Sequence, residues 1–360
     1  MMKKIILIFS CLGIIMASLK AQPKEGVYQT RIGTIQKNIE QRFFNSAKGL
    51  YYEAVPVESN EKAVSYLWPL CALIQAANEA EVLSPAKDYV TSALNAIDQY
   101  YNNNPPTPGY QAYPTALEKS DRYYDDNQWV AIACLDAYQR SQKVDYLDKA
   151  ELIYHFMMSG YDSASGGGIY WKEGDKTSKN TCSNGPGILV ALQLYNVTKE
   201  KIYLDTALLL YNWVNAHLES PEGIYYDNIR IPSLKIDSAT YTYNTGTMLQ
   251  SNVLLYNITH EKKYLAEAQR IAKAAKNHFY KNNRLPGNYW FNTVLLRGYV
   301  ELYKVDKNKS QLQFFIDDAE RIWKDERDAN NLLGKNSKTK SLIDQAAMME
   351  IYARLAALEK

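Results

Sequence analysis

Leu192-Gln-Leu-Tyr195-Asn-Val-Thr-Lys-Glu-Lys-Ile-Tyr203-Leu204 recurs in pattern twice more along the chain. Leu135-Asp-Ala-Tyr138 is followed by Tyr146-Leu147, and Val253-Leu-Leu-Tyr256 by Tyr264-Leu265, always with an eight-residue step between tyrosines. Four residues beyond each second tyrosine stands an alanine, Ala150, Ala207 or Ala268, and the first two copies add Tyr154 and Tyr211. The copies lie roughly 60 residues apart, longer than the common superhelical repeats and suited to one helical hairpin with its loops. Val130, Ala133, Cys134 and Ala137 recur at helical spacing, and the turns Ser141-Gln-Lys143 and Thr198-Lys-Glu200 are polar. Tyr138, Tyr195 and Tyr256 are therefore read as hairpin-packing residues.

Extended outward, this reading gives about twelve helices and an all-α chain, because strand-like alternation is scarce. They are expected to start near Val27, Glu61, Pro85, Asp126, Asp145, Ser183, Ile202, Tyr243, Lys263, Asn288, Ser310 and Ser341. Links from even to odd helices are short and links from odd to even are mostly long. Antiparallel neighbours then gather the long loops at one end. Six such hairpins closing into a ring make an (α/α)6 barrel with even helices inside and odd helices outside, favoured over an open solenoid. Gly185-Pro-Gly-Ile-Leu-Val-Ala-Leu192, small and apolar almost all round, suits an inner helix. The long loops surround the N-terminal ends of the inner helices, the end where function is expected.

With 360 residues, 46% of them hydrophobic, the chain can bury a large core. The net charge of +2 excludes any strong pull toward nucleic acid. Lys3 and Lys4 precede the short apolar run Ile5 to Ala17, and Ala21 offers a cleavage point. Residues 1–21 are read as a signal peptide, leaving a single catalytic domain over 22–360 and an exported, periplasmic or extracellular protein without a membrane span. Removing Lys3, Lys4 and Lys20 takes the net charge from +2 to about −1. A lipoprotein anchor at Cys11 is disfavoured by Phe9 and the truncated apolar run before it. Cys71, Cys134 and Cys182 form no C-x-x-C pair and read as buried thiols; four scattered histidines offer no metal-ligand spacing. No metal or other cofactor is expected.

The chemistry points to Asp121-Arg-Tyr-Tyr-Asp125-Asp126-Asn127-Gln128-Trp129, which ends a long loop and opens the fourth helix. Asp at a helix start often only caps it. Here the pair falls on the functional end, among aromatics. Two carboxyls converging on one bond are what a glycosidase needs, one as nucleophile and one as acid/base. Their repulsion would keep one protonated, and the helix N-terminus would favour the other as an anion.

Taken with its other blocks, the chain resembles glycoside hydrolase family 76, known for bacterial endo-α-1,6-mannanases. The resemblance rests on Trp68-Pro69, Tyr124-Asp125-Asp126-Asn127-Gln128-Trp129 with Asp136-Ala-Tyr138, Gly167-Gly168-Ile-Tyr-Trp171, and Lys179-Asn180-Thr-Cys-Ser-Asn184-Gly-Pro186. Tyr241-Thr-Tyr243-Asn244-Thr-Gly246 and Asp344-Gln345-Ala346 complete it. It implies an (α/α)6 fold, retention of anomeric configuration, Asp125 as nucleophile and Asp126 as acid/base. At Gln128 a smaller residue is usual, a departure that bears on the subsites.

Substrate contacts are assigned to Asn127, Trp171, Asn180, Asn184, Asp227, Tyr243 and Asn244, since amides and phenols bond sugar hydroxyls and aromatic faces cover apolar sugar faces. Gly166-Gly167-Gly168 lacks the Lys and Ser/Thr of a phosphate loop and is read as a tight turn bringing backbone near the site. Trp68 is read as cleft or core. The expected activity is endo-hydrolysis of α-1,6-linked mannan by a monomer, with mannan oligosaccharide or polysaccharide as partner. The rivals are a transglycosylase, a non-catalytic glycan-binding barrel, and an unsaturated-uronide hydrolase, the last kept in view by Lys172, Lys176 and Lys179.

Overall fold

The computed structural model describes residues 26–336 and 338–359. The signal-peptide reading of residues 1–21, and Cys11 with it, lies outside the described residues.

The inner helices are α2 (Leu67–Leu83), α4 (Tyr124–Ser141), α6 (Thr181–Thr198), α8 (Thr242–Thr259), α10 (Tyr289–Asp306) and α12 (Leu342–Ala357). Each packs on its two inner neighbours, and α12 packs back on α2, closing the ring. The outer layer is α1 (Val27–Asn38), α3 (Val90–Ile97), α5 (Val144–Ser159), α7 (Lys201–Leu218), α9 (Lys262–Phe279) and α11 (Gln313–Asp325). Composition explains the sorting. Every residue of α6 from Thr181 to Leu194 is buried, whereas α9 buries one stripe, Tyr264, Ala268, Ile271, Ala272, Ala275 and Phe279. Gly246 lets α8 approach α10 closely, because a Cβ there would stand 2.7 Å from the backbone of Leu295.

The repeat has a physical origin at the barrel's far end. Gln142, Lys199, His260 and Lys307 end α4, α6, α8 and α10 in the left-handed conformation. Each returns its N–H to the carbonyl four residues back, on Tyr138, Tyr195, Tyr256 or Tyr303, at 2.8–3.0 Å. That bond offsets a strain of about 1–2 kcal/mol for a residue other than glycine. The tyrosines one turn into the outer helices then pack between hairpins: Tyr154 meets Tyr203 edge-on at 4.7 Å, and Tyr211 meets Tyr264 at 5.8 Å.

Ten helix starts fall within three residues of the sequence expectation. The second and third begin later, at Leu67 and Val90, because short turns occupy 57–64 and 84–89. The loops also hold more strand than expected. A four-stranded antiparallel sheet, β1 (Tyr170–Lys172), β2 (Asp175–Asn180), β3 (Tyr226–Arg230) and β4 (Ile236–Thr240), is built from the loops before α6 and α8. Among the described helices none is long and apolar enough to cross a membrane.

Candidate active site

A cleft of about 750 Å³ opens at the N-terminal ends of the inner helices, within the size range of small-molecule sites. Each of five inner helices lends it residues at or near its first turn: Tyr66 and Trp68; Tyr123, Asp125, Asp126 and Trp129; Asn180 and Cys182; Tyr241 and Tyr243; Trp290 and Phe291. The sheet adds Trp171, Ser178, Asp227, Asn228, Arg230 and Asp237. Asn180 faces Asn228 and Asn228 faces Asp237 across the strands, so sheet register sets this polar row.

Asp125 and Asp126 occupy the second and third positions of α4, after Tyr123, whose side chain does not cap the helix. Both carboxyls are half-buried in the cleft. Their surroundings differ. Asp125 accepts the Asp126 backbone N–H on Oδ1 at 3.0 Å and the Trp171 indole N–H on Oδ2 at 3.1 Å, and the Cys182 thiol lies beside it. Burial pushes its pKa up to about 6 against these donors. Asp126 is pushed well above the ordinary carboxylate range by burial and by the charge of Asp125, with no donor acting to lower it. The pair therefore titrates as a unit in which Asp125 ionises first and Asp126 keeps its proton.

Aromatic rings form the walls. Trp290 meets Trp68 at 5.4 Å and Trp129 at 5.3 Å, while Phe291 meets Tyr243 at 4.1 Å. Trp68 is thus part of the cleft. Burial pushes Tyr243 well above the ordinary phenol range, so it stays a neutral donor. Burial also raises Asp227, which accepts from Asn228 at 2.8 Å.

Asn127, Asn184 and Asn244 are fully buried and do not line the cleft. Asn184 accepts from Ile169 N–H and donates to the Ile169 and Asn180 carbonyls at 2.8–2.9 Å. Asn127 does the same for Tyr110 and Tyr123, and Gln345 for Leu333 and Ser341. An amide one turn inside the helix thus clamps the preceding loop in three of the six inner helices. Asn244 is buried next to Asp227, and its amide has no hydrogen-bond partner among the described residues. Gln128 also points away from the cleft, donating to Ser183 O at 2.7 Å, so this departure does not touch the cleft lining.

The glycine turn differs from expectation. Gly166, Gly167 and Gly168 all have positive φ, but the turn packs on outer helix α7, where a Cβ on Gly168 would stand 2.7 Å from Trp213. The three lysines that suggested an acidic substrate are committed elsewhere. Lys172 pairs with Asp121, and Lys176 and Lys179 pair with Asp162. The cleft lining carries four carboxyls, Asp125, Asp126, Asp227 and Asp237, against Arg230, a balance that suits a neutral sugar better than a uronide.

Tyr66, Tyr123, Trp129, Tyr241 and Phe291 are cleft residues that the sequence does not single out. Their shared signal is an aromatic residue within a turn of an inner-helix start. Cys182 carried no such signal, and its thiol is buried.

Solved structures share this fold. A family 76 α-mannanase of Bacteroides thetaiotaomicron superposes with a TM-score of 0.86 at 26% identity, covering 92% of this chain and 96% of that one. An inactive variant of an α-1,6-mannanase of Salegentibacter sp., in complex with α-1,6-mannotriose, gives 0.80 at 23% identity, covering 92% and 99%. A mannan endo-1,6-alpha-mannosidase of Saccharomyces cerevisiae is 29% identical over 173 residues, 43% of this chain. The match spans 38% of that relative's length. The model of glycosyl hydrolase family 76 matches residues 31–358, nearly the whole described barrel with its cleft, and the chain belongs to that family.

Proposed function

We propose that the protein is a retaining glycoside hydrolase that cuts α-1,6-mannosidic linkages within α-mannan chains. In the first step an Asp125 oxygen bonds the anomeric carbon while the glycosidic bond breaks and Asp126 gives its proton to the leaving oxygen. In the second, Asp126 takes a proton from water, whose oxygen displaces Asp125 from the sugar. The observation that carries this reading is the unequal pair: one carboxylate held by two hydrogen-bond donors, its neighbour by none among the described residues. Substrate names come from relatives, the yeast mannan endo-1,6-alpha-mannosidase and the Salegentibacter α-1,6-mannanase. Trp171, Asn180, Asp227 and Tyr243 are assigned to sugar contacts from the cleft wall. Asn127 and Asn184 serve by fixing the loops that carry those contacts.

The enzyme acts after export, with a mature chain that starts near Gln22, a reading supported by the Lys3-Lys4 start and apolar run of residues 1–21. N-terminal sequencing of protein from the periplasm or medium should give Gln22. Incubation with linear α-1,6-mannan oligosaccharides, followed by proton NMR, should show early release of shorter α-anomeric oligomers. First-formed β-anomers would remove the double-displacement assignment, and no cleavage by folded protein would remove the mannan assignment in favour of a different glycan or binding without catalysis.

A further inference from the structure

Both oxygens of Asp125 are engaged, by donors from two different elements. Oδ1 takes the Asp126 backbone N–H, within the same helix; Oδ2 takes the Trp171 indole N–H, from β1. We propose that Trp171 is a positioning residue for the nucleophile, its N–H fixing the Asp125 rotamer and stabilising the carboxylate, a role distinct from any stacking of its ring on sugar. This rests on Asp125 being the nucleophile.

The hairpin that carries Trp171 is built to hold that bond. Its turn is Glu173-Gly174, with Gly174 at φ +76°. Lys172 reaches Asp121 at 3.0 Å, and Glu173 takes a two-pronged bond from Arg122. The two residues after Trp171 are thus tied to residues just before α4, so donor and acceptor move as one body. The indole also leans on Tyr123, centroids 4.9 Å apart, which limits its rotation.

The titratable groups around Asp125 are Tyr123 just before α4, Asp126 on α4, Cys71 on α2, Cys182 on α6 and Tyr243 on α8, with Asp227 beside the last two. None of these is a cation, and Arg230, the cation of the cleft lining, acts on Asp227 and not on Asp125, so the Asp125 anion depends on hydrogen-bond donors. Losing the indole donor raises its pKa. Trp171 is 39% exposed, and water can take over part of the bond. That limits the expected shift to roughly 0.5–1 pH unit. The N–H bonds a carboxylate more strongly than the glycosyl ester, so it also favours departure of Asp125 in the second step.

Trp171→Phe keeps an aromatic face and removes the N–H. The acid limb of kcat/KM should move to higher pH by that amount, kcat should fall roughly tenfold, and KM should change less than about threefold. An unmoved limb with unchanged kcat, or an effect on KM alone, would reduce Trp171 to a sugar platform and overturn the proposal. A second readout leaves Trp171 in place. Of the six tryptophans, one indole N–H resonance in ¹⁵N-labelled enzyme should follow the Asp125 titration and lose that dependence in Asp125→Asn. No indole responding would equally overturn it. Full turnover by Asp125→Ala would instead strike the underlying reading.

Discussion

Arg122 grips Glu173 with two hydrogen bonds, Nε to Oε2 at 2.6 Å and Nη2 to Oε1 at 2.5 Å, while its guanidinium is almost wholly buried. The same group donates to the backbone carbonyls of Asn102, Asn104 and Thr107. One side chain thereby joins the loop before α4, the start of that helix and the β1–β2 hairpin.

Arg122→Ala should cost about 3–5 kcal/mol in denaturant unfolding, because it leaves Glu173 and several carbonyls unpartnered. Activity should fall as well, since Trp171 loses its anchor. A loss under about 1 kcal/mol would show that solvent replaces this network readily.

Asp125→Asn and Asp126→Asn should each lower turnover by about a thousandfold or more and, near neutral pH, stabilise the fold. Both folded pKa values lie above their unfolded values. Their stabilising contribution is present when protonated, below the unfolded value, and is lost as pH rises through the folded value. An amide never ionises, so each variant should gain ~1–2 kcal/mol at about pH 7.5 and almost nothing at about pH 4. Thermal unfolding at both pH values measures this; equal shifts at both would contradict the raised pKa values.

Activity itself should follow a bell whose acid side reports the first ionisation of the pair. With Asp125 pushed up to about 6, kcat/KM should decline below that pH and again once Asp126 loses its proton. A profile peaking near pH 4 and falling through 6 is the outcome that would refute the unequal pair.

Asn184→Ala and Asn180→Ala should part company. The first removes a clamp from the fully buried Ile169 backbone and should cost ~2–4 kcal/mol, with a smaller rise in KM than the second. The second alters the cleft wall and should raise KM with little change in unfolding. Unfolding curves and Michaelis plots of both variants decide it, and a raised KM for Asn184→Ala with unchanged unfolding would make that amide a sugar ligand.

The ring was legible in the sequence because its hairpins carry the same tyrosine and cap at the same spacing. The starts of α2 and α3 were read too early. Glu61-Lys-Ala has helical composition, but Pro69, third in α2, was the better marker of a first turn. Asp88, which caps Thr91 N–H at 3.0 Å, marks the real start of α3. The sheet escaped notice for a physical reason. Asp175–Asn180 and Ile236–Thr240 are polar strands held by backbone pairing over the barrel mouth, and they show no apolar alternation. The carboxylate pair was visible because it sits on a helix start. Asn228, Arg230 and Asp237 were not, because cross-strand register brings them to the cleft.

The packing of α12 on α2 changes how this molecule comes apart. In an open array of hairpins the end unit can peel away and leave its neighbours intact, since stability there is close to a sum of local terms. A closed ring has no end unit. Its last seam joins segments some 270 residues apart in the chain, and the entropy of bringing them together is met only when nearly every hairpin is in place. Unfolding should therefore be all-or-none, and a nick or truncation in α12 should release the helix bearing Asp125 and Asp126 as surely as damage within that helix itself.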